Sequence, residues 1–178
     1  DPYGPGACSD GSRGIWAGGL AGDDSTHHDV IQYITISTTG NATDFGDLTS
    51  GREYFEACSD GTKGIFPGGY AGSANGVNTI DYITISTPGN ATDFGDQTVN
   101  RTLGNAGSNS TRGLFFAGVP STFSNIVDYI TIGTTGDATD FGDVTNASTS
   151  GAGFASTTRA IYAGGGAGGS NRYNNIDY

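Results

Sequence analysis

An acidic segment recurs three times along this chain. GNATDFGD at residues 40–47 returns at residues 89–96 and, as GDATDFGD, at residues 136–143. Each copy carries two aspartates around a Phe-Gly pair, namely Asp44 and Asp47, Asp93 and Asp96, Asp140 and Asp143. Calcium takes six to eight oxygen ligands, but no copy has the dense acid spacing of an EF-hand loop. We therefore predict structural roles in turns and ion pairs, and no metal site.

Four basic residues recur with a similar period. They are Arg13, Lys63, Arg112 and Arg159, spaced 47 to 50 residues apart, among seven Lys and Arg in the whole chain. We predict that each is held in a structural ion pair by a carboxylate of a DFGD segment or of a Ser-Asp-Gly turn. A partly buried pair of this kind adds little net stability, although losing one partner costs several kcal/mol. The alternative is a solvated row of surface cations.

Candidate binding residues lie in the segments that vary between repeats. His27 and His28, the two histidines of the chain, belong to the acidic segment DDSTHHD at residues 23–29. Such a cluster could bind a transition metal, but no other repeat contains it, and adjacent residues of an extended chain point to opposite sides. We therefore predict no cofactor. Tyr70 and Tyr173 occupy two further variable segments and would suit stacking against a sugar.

Modification sites and thiols also follow the repeat. Five Asn-x-Ser/Thr sequons could carry glycans in a secreted protein: Asn41, Asn90, Asn100, Asn109 and Asn146. Asn and Thr are also common turn residues. Cys8 and Cys58 occur in two copies of the word ACSDG. They are either free, buried thiols or a disulfide between neighbouring repeats, which requires Cα atoms about 4.4 to 6.8 Å apart.

Several classes of function are disfavoured. There is no Ser-His-Asp or Cys-His set and no phosphate-binding loop followed by a helix, so we predict that the protein is not an enzyme. The formal net charge of -11 argues against nucleic acid as a partner, because phosphate binding needs clustered Lys and Arg. No apolar run of about 18 residues is present, and we predict no membrane span.

The elements that position these residues form a repeat. Glycine accounts for 32 of 178 residues, and such a composition disfavours helices and suits short strands. The units share one order of elements: a short segment with a turn that is Asp-Gly in the first two units, an apolar strand after the basic residue, a variable loop and a strand of the type IDYITI. In the first three units, a turn then leads into DFGD. We predict one repeat domain over residues 1–178, with units of about 1–50, 51–99, 100–146 and 147–178.

The third strand of the unit indicates how the units pack. Alternation places Ile80, Tyr82 and Thr84 on one face and Asp81, Ile83 and Ile85 on the other. Both faces therefore carry large apolar groups, whereas a sheet with one solvated face alternates apolar and polar residues. We predict an all-β fold, a β-propeller of about four blade repeats whose last blade is incomplete.

The repeat resembles the kelch repeat of β-propellers. The resemblance is carried by a basic residue, a Gly-Gly step and a tyrosine in each unit: Arg13, Gly18–Gly19 and Tyr33; Lys63, Gly68–Gly69 and Tyr82; Arg112, Gly118 and Tyr129; Arg159, Gly164–Gly165 and Tyr178. The segment YITISTTGNATDFGD is also similar to repeats of bacteriophage tail-fibre and other virion-associated proteins. These resemblances imply a kelch-like propeller in an extracellular or virion-associated location.

The predicted function follows from the repeat and its loops. The fourth unit stops before its DFGD segment, so we predict an unfinished sheet edge that is paired with another chain or continued covalently, within a larger propeller or assembly. We predict a structural and adhesive fibre module that binds copies of itself and presents loops to a cell surface or glycan. The alternatives are a purely structural filament subunit and a secreted sugar-active enzyme. The variable loops are Leu20–Asp29, Tyr70–Asn78, Val119–Ser124 and Gly166–Asn174.

Overall fold

The chain folds into four antiparallel sheets. A computed structural model describes residues 4–22, 26–72, 75–119 and 122–178, and these residues form strands, turns and loops without a helix. The first sheet contains β1 (Gly6–Ser9), β2 (Arg13–Ala17), β3 (Val30–Thr35) and β4 (Thr43–Asp47). The second contains β5 (Cys58–Ser59), β6 (Lys63–Pro67), β7 (Val77–Thr84) and β8 (Thr92–Arg101). The third contains β9 (Asn105–Ser108), β10 (Arg112–Phe116), β11 (Ile126–Thr131) and β12 (Thr139–Asp143). The fourth contains β13 (Ala152–Ala155), β14 (Ala160–Ala163) and β15 (Ile176–Asp177).

Strands that follow one another in the chain are neighbours in every sheet. Because the described residues form strands and no helix, the all-β prediction is confirmed. The DFGD segment lies in the outer strand of each of the first three sheets. The four sheets do not close into a ring, so the finer assignment as a propeller stays a proposal. Within the described ranges, no helix is long and apolar enough to cross a membrane.

The first turn of each sheet is closed by a side chain. The Asp10 carboxylate accepts the backbone N–H groups of Ser12 and Arg13, each at 2.7 Å. These hydrogen bonds lower the pKa of Asp10, because they favour its charged form. Asp60, Asn109 and Ser156 make the same pair of contacts in the other three sheets. The Asp-Gly hairpins predicted from the sequence are thus confirmed.

Successive sheets stack through three apolar clusters, which we call the first, second and third interfaces. The alternation predicted along β7 is confirmed, since Ile83 and Ile85 belong to the first interface and Ile80 to the second. Each cluster includes two aromatic rings in contact. Phe55 contacts Phe66 edge to face at the first, with ring centroids 6.4 Å apart.

The outer turns lock neighbouring sheets together. Gly89, in the turn before β8, donates its N–H to the carbonyl oxygen of Phe45 at 2.7 Å, and Ala91 donates to that of Asp47 at 2.7 Å. A Cβ at Gly46 would overlap the carbonyl group of Gly89, so glycine permits this close approach. Gly136 and Ala138 make the same two bonds to Phe94 and Asp96. The DFGD segment is therefore a joint between sheets.

Candidate functional site

The recurring basic residues lie over aromatic rings. Arg13 donates through Nη1 to the carbonyl oxygen of Ile85 at 2.7 Å, and its guanidinium carbon lies 4.9 Å from the centroid of the Tyr33 ring. Lys63 repeats both contacts at the second interface, with the Ile132 carbonyl at 2.9 Å and the Tyr82 ring at 5.1 Å. Arg112 lies over Tyr129 at 4.7 Å, and Arg159 over Tyr178 at 5.1 Å.

The predicted ion pairs of this basic row need correction. In the ranges that the structure describes, no ion pair joins Arg13, Lys63, Arg112 or Arg159 to the predicted carboxylates of Asp44, Asp47, Asp93, Asp96, Asp140 and Asp143. These acids lie on the outer strands, and two of them, Asp93 and Asp140, accept a backbone N–H two residues further along the chain. Asp93 accepts the N–H of Gly95 at 3.0 Å, for example. Desolvation, followed by the negative charges of Asp137 and Asp93, raises the pKa of Asp96.

Two arginines that the sequence analysis did not single out form buried ion pairs. Arg52 lies in the linker between the first and second sheets, and its Nη1 is 2.9 Å from Oδ2 of Asp81 on β7. Both side chains are fully buried. The Arg52 Nη2 donates to the carbonyl oxygen of Phe66 at 3.0 Å, and Thr49 donates to the Asp81 carboxylate through its N–H at 3.0 Å and its hydroxyl at 2.8 Å. Burial lowers the pKa of Arg52, and Asp81 opposes that shift.

The same arrangement recurs at the junction of the second and third sheets, where Arg101 is the last residue of β8 and leads into the next linker. Arg101 Nη2 lies 3.1 Å from Oδ2 of Asp128, and Arg101 Nη1 donates to the carbonyl oxygen of Phe115 at 2.6 Å. Thr98 donates its hydroxyl to Asp128 at 2.6 Å. The third linker has Ser148 at the equivalent position, where its hydroxyl lies 2.8 Å from that of Tyr162. Each linker thus bonds to the sheet that follows it.

The sequence contains a pattern from which the ion pairs of Arg52 and Arg101 could have been predicted. Arg52 and Arg101 are 49 residues apart, which is the repeat period, and Asp81 and Asp128 occupy the position held by Gln32 in the first unit. The pattern was missed because the third linker breaks it with a serine.

The first two variable loops contact each other. The rings of His27 and Tyr70 have centroids 5.4 Å apart, and His27 Nε2 lies 3.5 Å from Oε1 of Glu53. His28 is half-buried beside a cavity of about 210 Å³ that Trp16 also lines. Residues 23–25 of the predicted histidine cluster lie outside the described residues. Within the described residues, no group of three or more His, Cys, Asp or Glu side chains could hold a metal ion.

The later loops form a second cavity. Phe123, Ser150 and Arg172 line a volume of about 390 Å³, together with glycines of the fourth sheet's loop. Arg172 donates through Nη1 to the carbonyl oxygens of Gly169 at 3.1 Å and Asn171 at 3.0 Å. Tyr173, predicted as a stacking residue, is half-buried and does not line this cavity.

The two cysteines and the five sequon asparagines differ in how far they are exposed to solvent. Cys8 and Cys58 are free thiols, Cys58 is buried, and burial raises the pKa of each to about 12. The sequon residues Asn41, Asn90 and Asn100 are exposed. Asn109 and Asn146 are half-buried, and their side-chain N–H groups bond to Thr157 at 3.1 Å and Asn175 at 3.2 Å.

A further cleft lies between the outer parts of the third and fourth sheets. Its volume is about 410 Å³, and Arg112, Phe141 and Tyr178 are among its lining residues. Phe141 is 56% exposed, whereas the equivalent Phe45 and Phe94 are 3% and 2% exposed. We call this feature the outer cleft.

Comparison with known proteins found neither a protein-family model nor a curated protein that matches the chain.

Proposed function

We propose that the protein is a structural and adhesive repeat module of an extracellular or virion-associated fibre. In this proposal, it associates with copies of itself in a kelch-like propeller or a larger stack, and its variable loops contact a cell surface or glycan. The observation that carries the proposal is a scaffold that repeats while its loops differ. Such a division of labour is common in binding proteins, whose functional residues lie on loops held by a rigid framework.

The scaffold holds the loops by the same hydrogen bond in the first three repeats. The second residue of the Gly-Gly step donates its N–H to the linker, from Gly19 to Arg52 at 2.8 Å and from Gly69 to Arg101 at 2.7 Å. Gly118 donates in the same way to Ser148 at 2.8 Å. Because the loops leave from equivalent points, neighbouring loops lie side by side, as the contact between His27 and Tyr70 illustrates.

The ends of the stack support self-association. Ile34 and Ile36 of the first sheet are 39% and 52% exposed, whereas their equivalents Ile83 and Ile85 are 3% and 0% exposed. Exposed apolar surface of this kind is typical of interaction sites. The first sheet therefore offers a face of the same chemistry as the buried interfaces.

Glycan-array binding together with electron microscopy of the native assembly tests this proposal. We expect filaments or appendages in the micrographs and saturable glycan binding by the chain. Tyr70→Ala should lower glycan affinity about fivefold or more, since loss of an aromatic anchor costs above about 1 kcal/mol. Tyr54→Ala is the matched control, because Tyr54 is exposed but belongs to a linker.

Three outcomes of these measurements are informative. Filaments without glycan binding would favour the purely structural filament subunit. Glycan binding that Tyr70→Ala and Tyr54→Ala reduce equally would exclude the loops as the binding surface. Isolated monomers with no ligand would contradict the proposal as a whole.

A further inference from the structure

A small cavity lies at the second interface, beside the buried ion pair of Arg101. Its volume is about 10 Å³, which is roughly the space that one water molecule needs. The lining residues come from the second sheet, the third sheet and the linker before each of them, and they include Phe55, Gln97, Arg101, Gly104 and Phe115. The cavity therefore lies where the second sheet meets the third.

Two buried side chains bring unpaired polar atoms to this cavity. Gln97 is 3% exposed, and among the described residues its amide oxygen and amide nitrogen have no hydrogen-bond partner. The same holds for Nε of Arg101, although its two terminal nitrogens are bonded to Phe115 and Asp128. Buried polar groups in proteins are as a rule bonded to protein or to ordered water, because leaving them unpaired costs free energy. These atoms require a partner that both donates and accepts.

The first interface fills the corresponding space with an apolar ring. There, Leu48 holds the position of Gln97, and Phe55 holds that of Gly104. The centroid of the Phe55 ring lies 5.3 Å from the guanidinium carbon of Arg52, so the ring covers the cation. In the second linker a glycine replaces this ring, and on β8 an amide replaces the leucine. The space beside the second guanidinium is therefore left to a small, polar occupant.

The third interface fills the corresponding space with a hydroxyl group. At this interface Tyr162 takes the position of Phe115, and Gly151 takes that of Gly104. The Tyr162 hydroxyl lies 2.8 Å from the Ser148 hydroxyl and 2.6 Å from the point at which a Cβ on Gly151 would stand. A protein oxygen thus lies beside the glycine and bonds to the linker. Phe115 has the same ring without this oxygen.

We propose that the cavity is a binding site for one water molecule, which forms part of the second interface. Its oxygen takes the place that the Tyr162 hydroxyl holds at the third interface, accepts from Nε–H of Arg101, and exchanges hydrogen bonds with the amide of Gln97. A water molecule both donates and accepts, so it satisfies all of these atoms, whereas the Arg101 guanidinium would repel a metal ion. The inference goes beyond the proposed fibre role and does not depend on it.

Water–protein NOESY and ROESY spectra of the ¹⁵N-labelled chain test the proposal. We expect dipolar cross peaks from water to the side-chain amide protons of Gln97 and to Hε of Arg101, because the bound water lies beside both groups. Comparison of the two spectra separates dipolar contact from proton exchange, since the NOE and the ROE of a long-lived water have opposite signs. Hε of Arg52 is the internal control. Arg52 is fully buried with the Phe55 ring beside it, and it should show no water cross peak.

Two substitutions should remove the water in different ways. Phe115→Tyr adds the hydroxyl that Tyr162 carries and should displace the water, so that the cross peaks to Gln97 and Arg101 disappear. Gln97→Leu introduces the residue of the first interface and removes both amide partners, so that the cross peak to Arg101 is lost. Leu103→Ala is the matched control and should leave all cross peaks unchanged, because Leu103 belongs to the second linker but does not line the cavity. Circular dichroism checks that each variant folds.

Three results would overturn the proposal. The first is the absence of a dipolar cross peak from water to both Gln97 and Arg101 in the unaltered chain. The second is an equal cross peak at Arg52, which would indicate general access of solvent to the buried arginines. The third is persistence of the cross peaks in folded Phe115→Tyr, which would exclude a water beside Gly104. If Phe115→Tyr does not fold, persistence of the Arg101 cross peak in Gln97→Leu overturns the proposal in its place.

Discussion

The buried pair between Arg52 and Asp81 provides a quantitative test of how the sheets are held together. Substituting Arg52 with methionine keeps an unbranched side chain but removes the charge and the polar contacts of the guanidinium, to Asp81 and to the carbonyl oxygens of Phe66 and Ser50. Asp81 would keep its contacts with Thr49 but would lose its cationic partner at a fully buried site. Breaking such a pair costs about 3 to 5 kcal/mol.

That loss is large against a total stability of about 5 to 15 kcal/mol. We therefore expect Arg52→Met to lower the free energy of unfolding in urea by about 3 to 5 kcal/mol. The double variant Arg52→Met/Asp81→Leu should recover most of the loss, because replacing both members of a buried pair by apolar residues is often neutral or stabilising.

Arg13→Met is the matched control for this experiment. Arg13 lies over the Tyr33 ring and donates to the Ile85 carbonyl oxygen at a partly buried site. Loss of these contacts leaves no buried charge unpaired, so Arg13→Met should cost less than Arg52→Met. A cost for Arg52→Met no larger than that for Arg13→Met would refute the reasoning. So would a double variant as unstable as the single one, since the cost would then not come from an unpaired charge.

Further predictions concern packing, the thiols and the turns. Phe45→Ala should cost about 3 to 5 kcal/mol in urea unfolding, whereas Phe141→Ala should cost far less because Phe141 is 56% exposed. Similar costs at the two positions would contradict the assignment of the outer cleft as open. The Cys58 thiol, with its pKa raised from 9.0 to about 12, should react with a disulfide reagent at pH 8 only when urea unfolds the chain. Because the unfolded thiol ionises first, stability should fall as the pH rises from about 9 towards 12, and Cys58→Ser should reduce that fall. Asp60→Ala should cost about 1 to 3 kcal/mol because two N–H groups lose their acceptor, whereas Asp60→Asn should be mild, since Asn109 accepts the same bonds in the third sheet. Equal costs for the two Asp60 variants, by thermal unfolding, would exclude this explanation.

The local features of the fold could be predicted from the sequence because they depend on short-range chemistry. Alternation along β7 identified two buried faces, and Asp10 and Asp60 identified the hairpin turns. Both signals act within a few residues, where strand period and turn stereochemistry decide the structure. The outer strands that begin at Thr43 and Thr92 followed from the same local pattern.

The partners of the charged residues could not be predicted in this way. Which groups meet across an interface depends on how one sheet is rotated and shifted against the next, and the spacing of residues within a unit does not contain that information. Arg13 is therefore opposite a carbonyl oxygen and a ring where the sequence suggested a carboxylate. The sequence Thr87-Pro88-Gly89-Asn90, with Pro second and Gly third, also predicts a type II turn, and the structure contradicts that prediction. Gly89 has a φ of 159° rather than the roughly 80° of a type II turn, and it bonds to the neighbouring sheet.

The buried arginines Arg52 and Arg101 help to fix the orientation of each sheet relative to the one before it. Arg52 and Arg101 each bond two elements of the following sheet, a second-strand carbonyl and a third-strand aspartate. Apolar contacts alone specify orientation weakly, whereas a buried guanidinium is satisfied in few geometries, because its hydrogen bonds are directional and an unpaired charge is costly. Each pair therefore restricts how a sheet can sit after its linker. The restriction acts at the first two interfaces, whereas at the third the hydrogen bond between Ser148 and Tyr162 takes its place without a charge.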